Sequence, residues 1–209
     1  MLWSILIAAI PERFHHVQPL LYSLLESQAV ARRPEVELLY LLDNRRRAVG
    51  AKRDALLSSA RGEYIACGDD DDAVASDYVQ KIVSAISHAR KAAPPADVIC
   101  FPQRATLDPH GVIHECTYSL AHFRDRKPEA RRQLAASDRP NILLWSGPPA
   151  HTMVWRREVV KDIAFDERNF GEDTAWVDAA CAKATTEILL TGEPLYIYRF
   201  SEEGTATRG

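Results

Sequence analysis

The segment Trp3-Ser-Ile-Leu-Ile-Ala-Ala9 is apolar at nearly every position and is halted by Pro11. A run of that length and character is what a strand covered on both faces requires, so the chain is restricted to a sheet sandwiched between helices. The downstream pattern agrees. After Pro11, Val17, Leu20, Leu21, Leu24 and Leu25 recur at helical spacing. Residues 36–42 form a second apolar strand pattern that ends at Asp43-Asn44, and a helix is expected over 48–60, with Gly62 just beyond as its terminator. A third short strand, 64–67, leads directly into Asp69-Asp70-Asp71-Asp72. Ser76 is placed to cap the next helix, where Tyr78, Val79, Ile82, Val83 and Ile86 share a face, and Pro94-Pro95 ends that segment.

The order strand-helix-strand-helix-strand-acidic loop-helix is that of an open, mostly parallel α/β sheet. Such sheets bind ligands beyond the carboxyl ends of their strands, the edge to which both Asp43 and the acidic loop belong. The second half is less regular. Strands are expected over 97–101, 112–118, 152–155, 187–190 and 195–200, with a turn at Asp108-Pro-His-Gly111 making a hairpin. Helices are expected around 129–136 and over 172–184, and Ser146-Gly-Pro-Pro149 reads as a loop. Repeats and linkers are absent, so 1–209 is expected to be one domain.

Composition narrows the function class. With 26 Lys+Arg against 29 Asp+Glu the net charge is −3, and no bulk positive field marks a nucleic-acid binder. The basic runs at Arg45-Arg46-Arg47 and from Arg124 to Arg132 read as solvated surface. Cys67, Cys100, Cys116 and Cys181 form no C-x-x-C pair, which argues against a cysteine zinc site and for reduced thiols. The apolar start is too short to span a membrane and lacks the basic head and cleavage site of a signal peptide, so a cytoplasmic protein is expected.

Four consecutive aspartates at the end of a buried strand need a physical reason. Two carboxylates ~4 Å apart repel by about 4 kcal/mol at an effective dielectric near 20, and by about 1 kcal/mol in water. A half-buried cluster therefore invites a divalent cation, Mg²⁺ or Mn²⁺, held by one or two carboxylates together with phosphate oxygens. A solvated acidic turn that also caps a helix is the alternative. Gly171-Glu172-Asp173 opens a second helix, where acidic residues are favoured by the helix dipole alone.

In combination these blocks resemble the family-2 glycosyltransferases of the GT-A fold. The resemblance rests on the Pro-x-Arg turn after the first strand (Ile10-Pro-Glu-Arg13), Asp43 after the second, and Gly50-Ala-Lys-Arg53 at a helix start. It continues through Ala60-Arg-Gly-Glu-Tyr-Ile65 into the Asp-x-Asp-Asp motif at 69–72. Later blocks are Met153-Val-Trp-Arg-Arg157, Phe165-Asp166, the Gly-Glu-Asp of 171–173, and Tyr196-Ile-Tyr-Arg199. Each block is weak alone; their order and spacing over nearly the whole chain is the signal.

The resemblance implies a single GT-A-like domain: a mostly parallel Rossmann-like sheet flanked by helices, with a small antiparallel acceptor-side part. Residues 1–102 would bind the nucleotide-sugar donor and 103–209 the acceptor. It further implies a metal-dependent, inverting transfer from a nucleoside-diphosphate sugar, UDP-linked by resemblance, to an acceptor hydroxyl. Pro11, Arg13, Asp43, Lys52, Arg53, Asp69 and Asp70 would bind the donor, with Asp43 at the base or ribose. Asp71, with Asp69, would hold Mn²⁺ or Mg²⁺ on the diphosphate, and Asp72 would support them. Asp173 would be the general base, assisted by Glu172; the helix dipole and burial push its basicity in opposite directions, a balance the sequence leaves open. Trp155 and His151 are placed on the acceptor side. His151 would touch acceptor or diphosphate, although a lone histidine in a proline-rich loop also reads as structural or exposed.

The chain departs from the family pattern in three places. No histidine follows Tyr-x-Tyr-Arg, where Ser201, Glu202 or Glu203 would have to replace a metal and diphosphate ligand; Gly68 stands where an apolar residue is commoner; and Asp54 replaces a frequent Asn. No Gly-rich loop follows the first strand, which sets aside nucleotidylyltransferases and dinucleotide-binding dehydrogenases. Two other readings stay open: an inactive nucleotide-binding or interaction domain of the same fold, and a transferase acting on modified bases in DNA. The acceptor (glycan, small molecule, protein or modified DNA) and a homo-oligomeric state are not specified by these residues.

Overall fold

The structure, a computed structural model, describes residues 1–106, 113–125 and 142–199. In chain order the first elements are β1 (Trp3–Ala9), α1 (Phe14–Tyr22), β2 (Val36–Leu42), α2 (Val49–Ser59), β3 (Tyr64–Asp69), β4 (Ala73–Val74), α3 (Tyr78–Ala89) and β5 (Val98–Cys100). Then follow β6 (Gln103–Thr106), β7 (Ile113–Tyr118), α4 (Leu120–Arg124), β8 (Ile142–Gly147), β9 (Val154–Arg156), α5 (Arg157–Val160), α6 (Glu172–Lys183), β10 (Glu187–Leu189) and β11 (Tyr196–Arg199).

β1 is buried at every position but Ala8, as its apolar run demands. It lies between β2 and β3 and is parallel to both, Trp3 standing opposite Val36 on one side and Tyr64 on the other. The chain passes from β1 to one neighbour and then crosses to the other, so the winding of the sheet reverses at β1. A crevice beyond the carboxyl ends of β1 and β3 follows from that reversal. The six-stranded sheet runs β10-β5-β9-β3-β1-β2, with β9 antiparallel to both of its neighbours. A second sheet runs β4-β11-β6-β7-β8 and mixes parallel and antiparallel pairs. It is larger than the small antiparallel part the sequence suggested. No helix among the described residues is long and apolar enough to cross a membrane.

Several local expectations change. The hairpin of β6 and β7 forms, but its turn and the helix expected over 129–136 lie outside the described residues. Ser146 and Gly147 are the end of β8 rather than loop, because that segment pairs with β7. α3 starts after Asp77 with no side-chain cap, so Ser76 does not cap it. Gly62 is not a left-handed helix terminator either. A Cβ there would stand 2.5 Å from Ser4 N, so this glycine serves the close approach of the α2–β3 connection to β1. The four cysteines are unbonded and buried.

Two tertiary anchors hold the site's elements. Asp97, just before β5, takes the Arg156 guanidinium at 2.6 Å and accepts from Thr185 N at 2.7 Å and Thr185 Oγ1 at 3.0 Å, tying β5, β9 and the approach to β10 together. The connection before α6 is fastened to α2: Asp54 Oδ1 accepts from Phe165 N at 2.9 Å, Gly50 N donates to Arg168 O at 3.3 Å, and Val49 N donates to Asn169 Oδ1 at 3.2 Å. At Gly50 the two backbones touch, since a Cβ would stand 1.9 Å from Asp166 O.

Burial acts to raise Asp97, but its hydrogen bonds and Arg156 hold the carboxyl below its ordinary 3.8. Its stabilisation is therefore fully present above that value and is lost as pH falls through the lower folded value. Asp97→Asn should reduce unfolding free energy by about 3 kcal/mol at neutral pH, since it strips a nearly buried ion pair of one charge. In urea titrations the gap from the parent protein should close below about pH 4. A second substitution tests the backbone contact. Helix propensity alone makes Gly50→Ala stabilising by about 1 kcal/mol, whereas the contact with Asp166 makes it destabilising by about 1–3 kcal/mol. A lowered urea midpoint with unchanged slope is the expected result.

Candidate active site

At the carboxyl ends of β1 and β3 lies an open pocket of about 360 Å³. Arg13, Lys52, Arg53, Asp69, Asp70, Asp71, His151, Glu172 and Asp173 all line it, so nine of the residues singled out in the sequence converge. Pro11 starts the short turn Pro11–Arg13 but is itself exposed, and Ile10 meets the pocket in its place.

Arg53 organises the centre. Its guanidinium leaves α2 and lies 2.6 Å from Asp69 Oδ1 and 3.2 Å from Glu172 Oε1, and it also caps the Phe165 ring at 5.7 Å. Phe165 stacks on Trp176, which meets Trp155 edge-on, so an aromatic column carries the core up to the site. Burial acts to lower the Arg53 pKa, but the Asp69 charge and then Glu172 and Asp173 more than offset it and raise it. Burial likewise acts to raise Asp69, and Arg53 followed by His151 brings it well below the usual carboxylate range.

The four aspartates divide into different roles because β3 runs through Asp69 before the chain turns. Arg13 ion-pairs Asp71 and lies 3.0 Å from Asp70. Burial raises Asp70 to about 6, with Asp71 and Asp69 adding to the shift and Arg13 opposing it; Asp71 is raised for the same leading reason. Asp72 turns away from the pocket. It accepts from Arg199 N at 2.9 Å, and burial and the Asp69 charge push it well above its ordinary value. Tyr196 Oη accepts the Asp69 amide at 3.0 Å, so β11 braces the acidic turn.

Of the readings open for His151, at the acceptor or diphosphate, structural or exposed, its burial removes the exposed one. Its side chain is 12% exposed, with Nδ1 2.8 Å from Asp173 Oδ2 and Nε2 3.5 Å from Asp69 Oδ2. Neither nitrogen has the alignment of a hydrogen bond, so proximity of charge is what links the three groups. Burial and Arg53 act to lower the imidazole pKa, while Asp173 and Asp69 outweigh them and raise it. The open question about Asp173 is answered by this neighbour. Burial acts to raise the carboxyl, and His151, then Arg53, hold it below 3.8. Glu172 moves the other way, raised mainly by burial.

Three residues expected to touch ligands are bound to protein groups. Lys52, which lines the pocket, is only 2% exposed, and its ammonium is committed to Asp43 Oδ1 at 2.7 Å and Ala9 O at 3.0 Å, so it fastens β1, β2 and α2. Asp43, bound to it, is not among the lining residues. Trp155 is fully buried and its Nε1 donates to Ala150 O at 3.0 Å; it supports the His151 loop and has no surface for an acceptor. That loop is also held from the second sheet, through Tyr118 Oη to Gln103 and Gln103 to Thr152 at 2.5 Å. Ser201, Glu202 and Glu203 lie outside the described residues.

Tyr198 and Phe170 line the pocket without having been assigned a role in the sequence. Tyr198 was detectable: β11 places alternate residues on one face, and Tyr196 and Tyr198 share it. Phe170 carries no periodic signal. Among the described residues no group of three or more His, Cys, Asp or Glu is arranged around a metal position. Asp69 and Asp71 nevertheless suit Mg²⁺ or Mn²⁺ chemically. Both are hard oxygen donors facing one pocket, their mutual repulsion is one cause of the raised Asp71, and such ions need only one or two protein carboxylates beside phosphate.

No curated protein matches the chain. Among solved structures, that of S. aureus TarS 1–349 in complex with UDP-GlcNAc matches all of this chain at 17% identity with a TM-score of 0.66, over 61% of its own length. The same protein's longer form matches 97% of this chain at 17% identity and a TM-score of 0.61, over 37% of its length. Its complex with UDP matches 97% at 17% identity and 0.61, over 62%. The present chain thus spans about three-fifths of TarS 1–349, and the likeness establishes the GT-A fold. The family described as Glycosyl transferase family 2 matches residues 26–137, more than half of the sequence, and the chain belongs to that family.

Proposed function

We propose that this domain transfers a sugar from a UDP-sugar to an acceptor hydroxyl with inversion, assisted by Mg²⁺ or Mn²⁺. The observation that carries the reading is the convergence of Asp69 from β3 and Asp173 from α6 on one imidazole, His151, inside a single pocket. In family terms these are the donor-side and base carboxylates, and the neighbours solved with UDP and UDP-GlcNAc support a UDP-linked donor. Residues 1–102 would then hold the donor, and the pocket wall from His151 to Thr174 would receive the acceptor.

In the step, the acceptor oxygen forms a bond to the anomeric carbon as the bond from that carbon to the diphosphate oxygen breaks. The electron pair leaves with the nucleoside diphosphate, and the acceptor proton passes to an Asp173 oxygen. A divalent ion held by Asp69 and Asp71 would neutralise charge on the leaving group. Arg53 keeps Asp69 ionised and fixed to the end of β3. Asp173, held below its ordinary pKa, is a weak base in the ground state. That suffices, because the attacking hydroxyl turns acidic only as its new bond forms. His151, with Nδ1 2.8 Å from Asp173 Oδ2, orients it.

One observation favours a second reading, in which no metal is needed. Arg13 already pairs with Asp70 and Asp71, so the acidic turn carries a cation of its own.

Thermal unfolding against nucleoside diphosphates, each with and without Mn²⁺ or Mg²⁺, separates these readings. UDP at 100 times its dissociation constant should stabilise the protein by about 2.7 kcal/mol, and only with metal. Equal stabilisation in chelator supports the Arg13 reading; no stabilisation by any nucleotide refutes the proposal. Asp71→Ala should remove the metal-dependent part with the fold intact. Asp173→Asn should retain donor binding and lose transfer by about 10²-fold or more, and near-normal transfer would remove Asp173 as the base.

A further inference from the structure

Phe170 is 68% exposed, yet it lines the pocket three positions before Asp173. Its exposure is not that of a free loop tip. The backbone on both sides is fastened, by Val49 N to Asn169 Oδ1, Gly50 N to Arg168 O, and Asp166 N to Glu172 O at 3.3 Å. Gly171 then turns the chain directly into α6, and the exposed Phe170 ring joins Asp173 in lining the pocket. A second aromatic side chain, Tyr198 from β11, lines the same pocket, and its hydroxyl is pushed up to about 12 by burial first and then by the charges of Asp69, Asp72, Asp71 and Asp173. Two rings supplied by different elements therefore border a floor of carboxylates.

We infer that the acceptor is a neutral sugar in its ring form, whose apolar C–H face lies on Phe170 while one hydroxyl reaches Asp173. This rests on the transferase reading above. A pyranose combines a flat apolar face with a rim of hydroxyls, which suits an aromatic platform set beside hydrogen-bond-accepting carboxylates. An acyclic polyol has no such face. Among the described residues that line the pocket, Arg13, Lys52 and Arg53 are each already paired with carboxylates, so an anionic group at this position would meet Asp173, Asp69 and Glu172. The transfer step is unchanged: the sugar hydroxyl gives its proton to Asp173 as its oxygen bonds the anomeric carbon and UDP departs.

The experiment measures UDP release from UDP-GlcNAc and UDP-glucose with methyl pyranosides, with glycerol, or with water alone as acceptor, alongside UDP affinity by calorimetry. At least one methyl pyranoside should be glycosylated and glycerol should not. Phe170→Ala should raise the KM for that pyranoside about tenfold, with kcat changed less and UDP affinity unmoved, and Phe170→Tyr should restore KM. The inference is overturned if glycerol serves as well as the pyranosides, or if no pyranoside is used by protein that binds UDP. It is also overturned if Phe170→Ala shifts UDP affinity or leaves acceptor KM unchanged. A parent protein that binds no nucleotide fails the transferase reading itself, and this inference with it.

Discussion

The structure of the site depends on a buried guanidinium. Arg53 is held away from water between Asp69 and Glu172, and an unpaired ion so placed would cost several kcal/mol. That cost is avoided only while α2, the end of β3 and the start of α6 are docked together. A lysine could not replace it, because a point charge cannot serve two carboxylates and an aromatic face in the planar arrangement a guanidinium offers. The pocket is therefore a consequence of the ion network rather than a hollow left between independently folded elements. Phe165, between the guanidinium and Trp176, passes the constraint down into the core.

The other cations are distributed on the same principle. Lys52 is committed to Asp43 and Ala9 O, and Arg13 to the Asp70–Asp71 pair. Each compensates a carboxylate that the strand ends would otherwise expose to its neighbours' repulsion. Burial, with repulsion from neighbouring aspartates, keeps Asp70 and Asp71 raised despite Arg13, while Arg53 and His151 bring Asp69 down one residue earlier. A diphosphate entering such a pocket adds negative charge where positive charge is already committed. This is the physical case for a divalent ion, which raises the local positive charge without taking Arg53 from its partners.

Much of this was legible in the sequence, and the parts that were not share a cause. β1, β2 and α6 follow from apolar runs, helical periodicity and a terminal Gly-Glu-Asp, all of which are local signals. The parallel β3-β1-β2 part of the six-stranded sheet follows from their alternation. Gly62 and Ser76 were misread because each occupied a position where a local rule applied, while a tertiary contact, the approach to Ser4, or a different first residue, Asp77, decided the geometry. β8 was missed because its strand character comes from pairing with β7. Lys52, Asp43 and Trp155 were expected to touch ligands, and each has a protein partner, Lys52 with Asp43 and Ala9 O and Trp155 with Ala150 O. His151 is the converse case: nothing in a Pro-Pro-Ala-His loop marks a buried imidazole between two carboxylates, since neither carboxylate is near it in the chain.

That contrast explains why no single block of the sequence was specific, yet their order was. Asp69, Arg53, His151 and Glu172-Asp173 come from four separate segments, and each alone has an ordinary explanation as a strand end, a helix residue, a loop residue or a helix start. Their charges are tolerable only together. Removing the acidic turn leaves Arg53 and His151 without an essential partner, and removing Arg53 leaves Asp69 and Glu172 without their cation beside the Asp173 charge. A network that is costly in parts and stable as a whole ties the residue types at its nodes to one another across the chain. The spacing of the blocks is the trace that this mutual dependence leaves in the sequence.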